Sequence, residues 1–392
     1  MAVLHAGTYN KKIVFWAACL GILLFGIALI TLGSIIPDLR EKLGLSDIAA
    51  GTLFSILPFG ILTGSLLFGP VVDKSGYKLL LSLSCLLLFA GFEGVAFSSS
   101  QELLKIYIFF IGLGGGAVNG ATNALVSDIS DKDKAANLSL LGVFFGIGAL
   151  GMPLVLGLLR AKYSFETILA AVGVLTLVTA FIFLFIKLPP PKQSQGFPLK
   201  RSISLIKDNV LILIAFYLFF QSSFEGILNN WTTSFLINSM LVPESSALYG
   251  LSLFVAGMVV MRLFLGSLFR SASTLKIMII SFALIFTGLL LLKAGISFYA
   301  AVAGLFLIGA GLAGGFPIML GLVGERFSDL SGTAFSIVMA VGLLGNMLIN
   351  YGMGFIAQNY GIRHLITVAS AELVIMIVLF FIILNKSGKS TK

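Results

Sequence analysis

The chain has 392 residues, of which 58% are hydrophobic and 10% charged. A water-soluble domain carries roughly 25% charged residues, so this composition excludes a soluble enzyme or binding module and leaves a protein that lives in lipid. The net charge of +9 does not call for nucleic acid, because Lys and Arg gather beside anionic headgroups in the loops of any membrane protein.

In chain order, the first apolar run follows Lys11 and Lys12 and covers residues 12 to 37. It is too long for the core of a signal peptide and long enough to cross a hydrocarbon layer of about 30 Å as a helix. Eleven more runs follow, at 48 to 72, 77 to 97, 102 to 127, 136 to 160, 164 to 187, 207 to 237, 245 to 269, 274 to 294, 297 to 321, 331 to 357 and 364 to 385. An even number of crossings returns the C-terminus to the side of the N-terminus. Segments on that side hold most of the 25 Lys and Arg, which assigns both termini to the cytoplasm and the chain to the cell inner membrane, multi-pass.

The long polar interruption LPPPKQSQGFPLKRS, Leu188 to Ser202, divides the spans six and six. It predicts an N-terminal bundle over 1–187, a cytoplasmic linker over 188–206 and a C-terminal bundle over 207–392. The halves align at one gap-free offset of 197 residues, pairing Gly60 with Gly257, Gly69 with Gly266, Gly112 with Gly309, Gly114 with Gly311, Gly148 with Gly345 and Gly157 with Gly354. The expected fold is therefore an all-α membrane protein of twelve transmembrane helices in two parallel six-helix pseudo-repeats, the plan by which transporters alternate access to a midplane site. The glycine runs at 112–120 and 309–315 read as close helix packing. They lie in apolar helices and lack the GxxxxGK(S/T) pattern, so no phosphate-cradling loop is expected.

The loop after the second span reads GPVVDKSGYK, Gly69 to Lys78. It resembles the GxxxD(R/K)xG(R/K)(R/K) signature of the major facilitator superfamily, with Tyr77 as the departure. The resemblance implies a gate made of Asp73, Lys74, Gly76 and Lys78. Asp128, Arg262 and Glu325 are expected to form a cytoplasmic charge network beside it. Within the superfamily, GLGGGAVNGATNALVSD in span four, FEGILNNW in span seven and GAGLAGGFPIMLGLVGERF in span ten are similar to the fucose, galactose and glucose sugar porters. The carboxylates that the fucose branch ties to proton coupling fall at Gly33 and Asn119 here, so that coupling does not carry over.

Ionisable side chains at membrane depth cost several kcal/mol and so mark function. Glu225 lies near the middle of span seven, and Gln221, Glu225 and Asn229 share one helical stripe at i, i+4 and i+8. Asn119 with Asn123 and Asn346 with Asn350 form two further i, i+4 amide pairs. Amides both donate and accept without a charge to neutralise, which suits a ring of sugar hydroxyls, and Trp231 and Tyr217 could cover an apolar sugar face. The substrate-binding candidates are thus Asn119, Asn123, Gln221, Glu225, Asn229, Asn230, Trp231, Asn346 and Asn350. Glu225 is also the proton-coupling candidate. With no cation at mid-depth, an anionic substrate is disfavoured.

Glu93 and Glu372 are expected to snorkel or to make local bonds in peripheral helices. Cys19 and Cys85 sit in apolar spans, and His5 and His364 are terminal or loop-side, so no cofactor, metal or catalytic cluster is expected. The expected protein is a monomeric sugar transporter, not an enzyme, with a small solute, membrane lipid and, under symport, protons as partners. The alternative is a multidrug or metabolite exporter, favoured by 35 phenylalanines and by GIGALGMP, Gly146 to Pro153, which resembles the helix-five motif of antiporters.

Overall fold

The computed structural model describes residues 9–130, 134–190, 207–267, 273–327 and 331–387; the side chains of residues 73, 134–136, 266–267, 331–333 and 387 lie outside the description. Twelve membrane-length helices occur among the described residues. They are α1 (Lys11–Leu43), α2 (Asp47–Val72), α3 (Lys74–Phe97), α4 (Gln101–Ile129), α5 (Asn137–Leu159), α6 (Phe165–Phe185), α7 (Asn209–Met240), α8 (Glu244–Leu265), α9 (Thr274–Ala294), α10 (Phe298–Arg326), α11 (Ala334–Tyr360) and α12 (Ile362–Lys386). No strand occurs among the described residues.

Local chemistry sets where several of these helices begin and end. Asn10 caps α1, its Oδ1 accepting from Lys12 N–H at 3.0 Å and Ile13 N–H at 3.3 Å. Pro37 does not end α1 where the apolar run suggested: buried Leu39 keeps the last turn packed, and the helix stops at Gly44, whose N–H bonds Arg40 O at 2.9 Å. α2 and α3 run on as one stretch, Asp47–Phe97, kinked at Gly76 in the first turn of α3, with φ 76° and ψ 169°, a conformation essentially restricted to glycine, which gives the second Gly of GPVVDKSG a purely steric reason. The run over 298–326 also breaks, at Ala313–Gly314. Pro317 lacks the N–H that would bond Ala313 O and its ring crowds that carbonyl, so the helix turns and restarts at Gly315.

The described chain forms two compact units. The first holds the residues up to Leu45 and from Ile56 through α6; the second holds α7–α12 together with Ser46–Ser55, the opening turns of α2. In the first, α1 packs on α4, α5 and α6; in the second, α7 packs on α8, α11 and α12, and α10 on α8 and α9.

The sequence repeat reappears as a repeat of backbone contacts, each within its own unit. A Cβ on Gly114 of α4 would lie 2.6 Å from Ser84 O of α3, and one on Gly311 of α10 would lie 2.6 Å from Ser281 O of α9. Ser84 and Ser281 are themselves separated by the same 197 positions. Likewise Gly112 of α4 abuts α2 at Gly60, Gly309 of α10 abuts α8 at Phe254, Gly148 of α5 abuts α1 at Leu23, and Gly345 of α11 abuts α7 at Phe219. Without water to drive apolar association, such close van der Waals approach is what holds helices together in lipid. The glycines are packing residues, and they build two copies of one six-helix plan.

Candidate functional site

The polar stripe of α7 meets a different fate at each level. Gln221 is 1% exposed and its Nε2 donates to Leu312 O at 3.0 Å. That carbonyl belongs to the break in α10, so the glutamine satisfies backbone freed by the kink. Four residues on, Glu225 is half-buried and has no hydrogen bond or ion pair with any described residue. Asn229 follows, 8% exposed, with a buried Oδ1 that accepts nothing. A carboxyl without a partner next to an empty amide acceptor, one turn apart inside a membrane helix, leaves hydrogen-bonding capacity open where lipid cannot fill it.

The neighbouring polar side chains expected to bind substrate, Asn230, Trp231, Asn346 and Asn350, bond one another in this conformation. Asn350 is fully buried; its Oδ1 accepts from Asn230 Nδ2 at 3.0 Å and from Trp231 Nε1 at 3.2 Å, and its Nδ2 donates to Asn346 O and Oδ1, each at 2.9 Å. Asn346 Nδ2 in turn donates to Ser222 O at 3.1 Å. This network bolts α11 to α7. Trp231 is 0% exposed with its ring edge-on to Phe54 at 5.1 Å, and Tyr217 is 1% exposed beside Gly315, so neither ring is available to a sugar face in this conformation.

In the first unit, Asn119 and Asn123 remain accessible. Asn123 is exposed, its Nδ2 bonding Asn119 O at 2.8 Å and Oδ1 at 3.1 Å, while Asn119 is half-buried.

Of the gate residues, the side chain of Asp73 lies outside the description, and Lys74 and Lys78 are exposed. Tyr77, the departure from the signature, is buried and donates its hydroxyl to Asp128 Oδ2 at 2.8 Å, tying the start of α3 to the end of α4. Glu325 is exposed with no partner among the described residues, and its neighbour Arg326 pairs with Asp208 at 3.1 Å. Arg262 is exposed.

Of the two fates expected for Glu372, snorkelling or a local bond, the bond is the one that forms: it is 3% exposed in α12, bonded to Ser223 of α7, with Oε2 buried and without a partner among the described residues. The ion pair of Asp38 with Arg160 at 2.6 Å, and that of Lys42 with Glu166 at 3.2 Å, went unforeseen; they join the end of α1 to α5 and α6. No group of three His, Cys, Asp or Glu that could hold a metal ion occurs among the described residues.

Two copies of a six-helix bundle, with open polar capacity inside membrane helices, have the build of a membrane transporter. The chain belongs to the Major Facilitator Superfamily, whose sequence profile matches residues 18–295. Some curated relatives match over as little as 28% of their length, others nearly end to end. The glucose/mannose transporter GlcP of Bacillus subtilis (strain 168) is 23% identical over 351 residues, 84% of either chain. Among solved structures, a point mutant of the nucleoside transporter NupG superposes with a TM-score of 0.80 at 17% identity, over 96% of this chain and 99% of NupG. A D-xylose-proton symporter superposes with a TM-score of 0.78 at 14% identity, over 94% and 96%. At such identities the structural likeness speaks for the fold.

Proposed function

We propose that this transporter moves a small neutral polyhydroxylated solute, a hexose or related sugar, across the cell inner membrane by alternating access, with both termini cytoplasmic and a single chain as the working unit. The observation that carries the reading is the pair Glu225 and Asn229: a carboxyl and an amide oxygen, one turn apart, both without a hydrogen-bond partner among the described residues. Two neighbouring sugar hydroxyls, one donating to the Glu225 carboxyl and one to Asn229 Oδ1, can complete both groups without bringing charge into lipid. Asn119 and Asn123 offer uncharged polar groups of the same kind on α4, while Gln221 and the Asn350 network hold the walls that position the stripe. The name of the full-length relative, a glucose/mannose transporter, favours the same solute class.

Under proton coupling, Glu225 is the carrier. Proton binding and substrate hydrogen bonding then act on one carboxyl, which is the linkage symport requires. The test is uptake of labelled hexoses, pentoses, nucleosides and lipophilic cations into proteoliposomes, with and without an inward proton gradient. Sugar uptake that rises with the gradient is expected, and Glu225→Gln should keep exchange while losing accumulation. Competition by lipophilic drugs but by no sugar would move the reading to the exporter class.

A further inference from the structure

Three basic side chains converge at one end of the second unit from three separate helices. Lys207 precedes the Asp208 cap of α7, Arg326 ends α10 and Lys386 ends α12; with Asp208, Asn209 and Val210 they line an open cleft of about 410 Å³. Their pairing is unequal. Asp208 Oδ2 accepts from Arg326 at 3.1 Å, while Oδ1 accepts the N–H groups of Val210 at 2.8 Å and Leu211 at 3.0 Å. One carboxylate thus caps α7 and fixes the guanidinium. Lys207 and Lys386 have no acidic partner among the described residues. Three cations against one anion leave these side chains doubly positive; the positive end of the α7 dipole adds to that charge, while the C-terminal ends of α10 and α12 oppose it.

A lone solvated lysine would mean nothing. Cations that converge from three helices, one of them immobilised, form a cradle for a tetrahedral anion, since Arg presents a rigid fork and Lys a mobile point charge. The cleft lies at helix ends, the depth of lipid headgroups. The Lys and Arg bias of the sequence gives that end to the cytoplasm, where the leaflet carries the anionic lipids.

We propose that this cleft binds a phosphate-bearing anion, supplied either as the headgroup of an anionic phospholipid or as free phosphate, and thereby braces α7, α10 and α12 at their shared end. The transport stripe of α7 lies elsewhere on the helix, so this site stands apart from the sugar reading and survives its failure.

The test uses full-length protein in detergent, followed by thermal unfolding and by native mass spectrometry. Phosphatidylglycerol should protect more than phosphatidylcholine and remain bound, and the double variant Lys207→Gln/Lys386→Gln should lose that excess. At roughly fivefold per lysine near an anionic surface, the pair should weaken binding about 30-fold. Lys207→Arg/Lys386→Arg should restore it, which separates charge from folding. In the second arm, inorganic phosphate replaces chloride at equal ionic strength; protection that the Gln pair abolishes assigns the site to the free anion. The proposal is overturned if neither anion protects beyond its control, or if the Gln pair keeps the full gain.

Discussion

Two Asn-x-x-x-Asn pairs in this chain make the same local bonds in opposite surroundings. On α4, Asn123 Nδ2 reaches back to Asn119 O and Oδ1; on α11, Asn350 Nδ2 reaches back to Asn346 O and Oδ1. The difference is what surrounds the free oxygen. Asn123 is exposed, so its Oδ1 stays available to a solute. Asn350 is wholly buried, and its Oδ1 is consumed by Asn230 and Trp231. An amide ladder in a membrane helix therefore becomes glue or ligand group according to the packing around it, and spacing alone does not say which.

The largest effect should come from breaking the buried ladder. Asn350→Ala withdraws an acceptor from two buried donors, each worth about 1–3 kcal/mol when left unmet, so a loss of about 3 kcal/mol is expected as a lowered unfolding temperature in detergent. Asn123→Ala should leave stability within about 0.5 kcal/mol, yet raise the half-saturating sugar concentration severalfold for one lost hydrogen bond of about 1 kcal/mol. Equal destabilisation by both would erase the distinction. The two acids of the second unit sharpen it. Glu372 is bonded and buried, and Glu372→Ala should cost about 2 kcal/mol with Glu372→Gln recovering most of it; half-buried Glu225 should lose accumulation on conversion to Gln with stability nearly unchanged.

The fold was legible because length, apolarity and the glycine offset are one-dimensional signals. Gly114 and Gly311 meet Ser84 and Ser281 at matching distances because both copies solve the same packing problem. The stripe Gln221, Glu225 and Asn229 was legible from helical period, but not the fate of each member, which depends on a break in α10 that is distant in sequence. Trp231 shows the limit most sharply. A polar-edged ring in an otherwise oily helix suggests a sugar platform, yet Phe54 and Asn350 enclose it completely. The pair of Arg326 with Asp208 was not legible either, because it joins the end of α10 to the start of α7, 118 positions apart.

The helix starts supply the finest form of the same contrast. α1 and α7, the first helices of the two repeats, are both capped by a side-chain oxygen that accepts two backbone N–H groups, but the cap is Asn10 in one and Asp208 in the other. Burial pushes the Asp208 carboxyl up, and the N–H groups of Leu211 and Val210 together with the Arg326 guanidinium more than offset it, holding the group below its ordinary value. A carboxyl depressed in the folded state stabilises fully above the unfolded value of about 3.9 and loses that contribution as the pH falls through the lower folded value. Both partners are partly exposed, so solvent screening keeps the effect small. Acid titration of the unfolding temperature should therefore drop more steeply for the wild type than for Asp208→Asn below about pH 4, whereas Asn10→Ala should lower it equally at every pH. Parallel acid limbs for wild type and Asp208→Asn would mean that the charge on this cap, unlike its geometry, is dispensable.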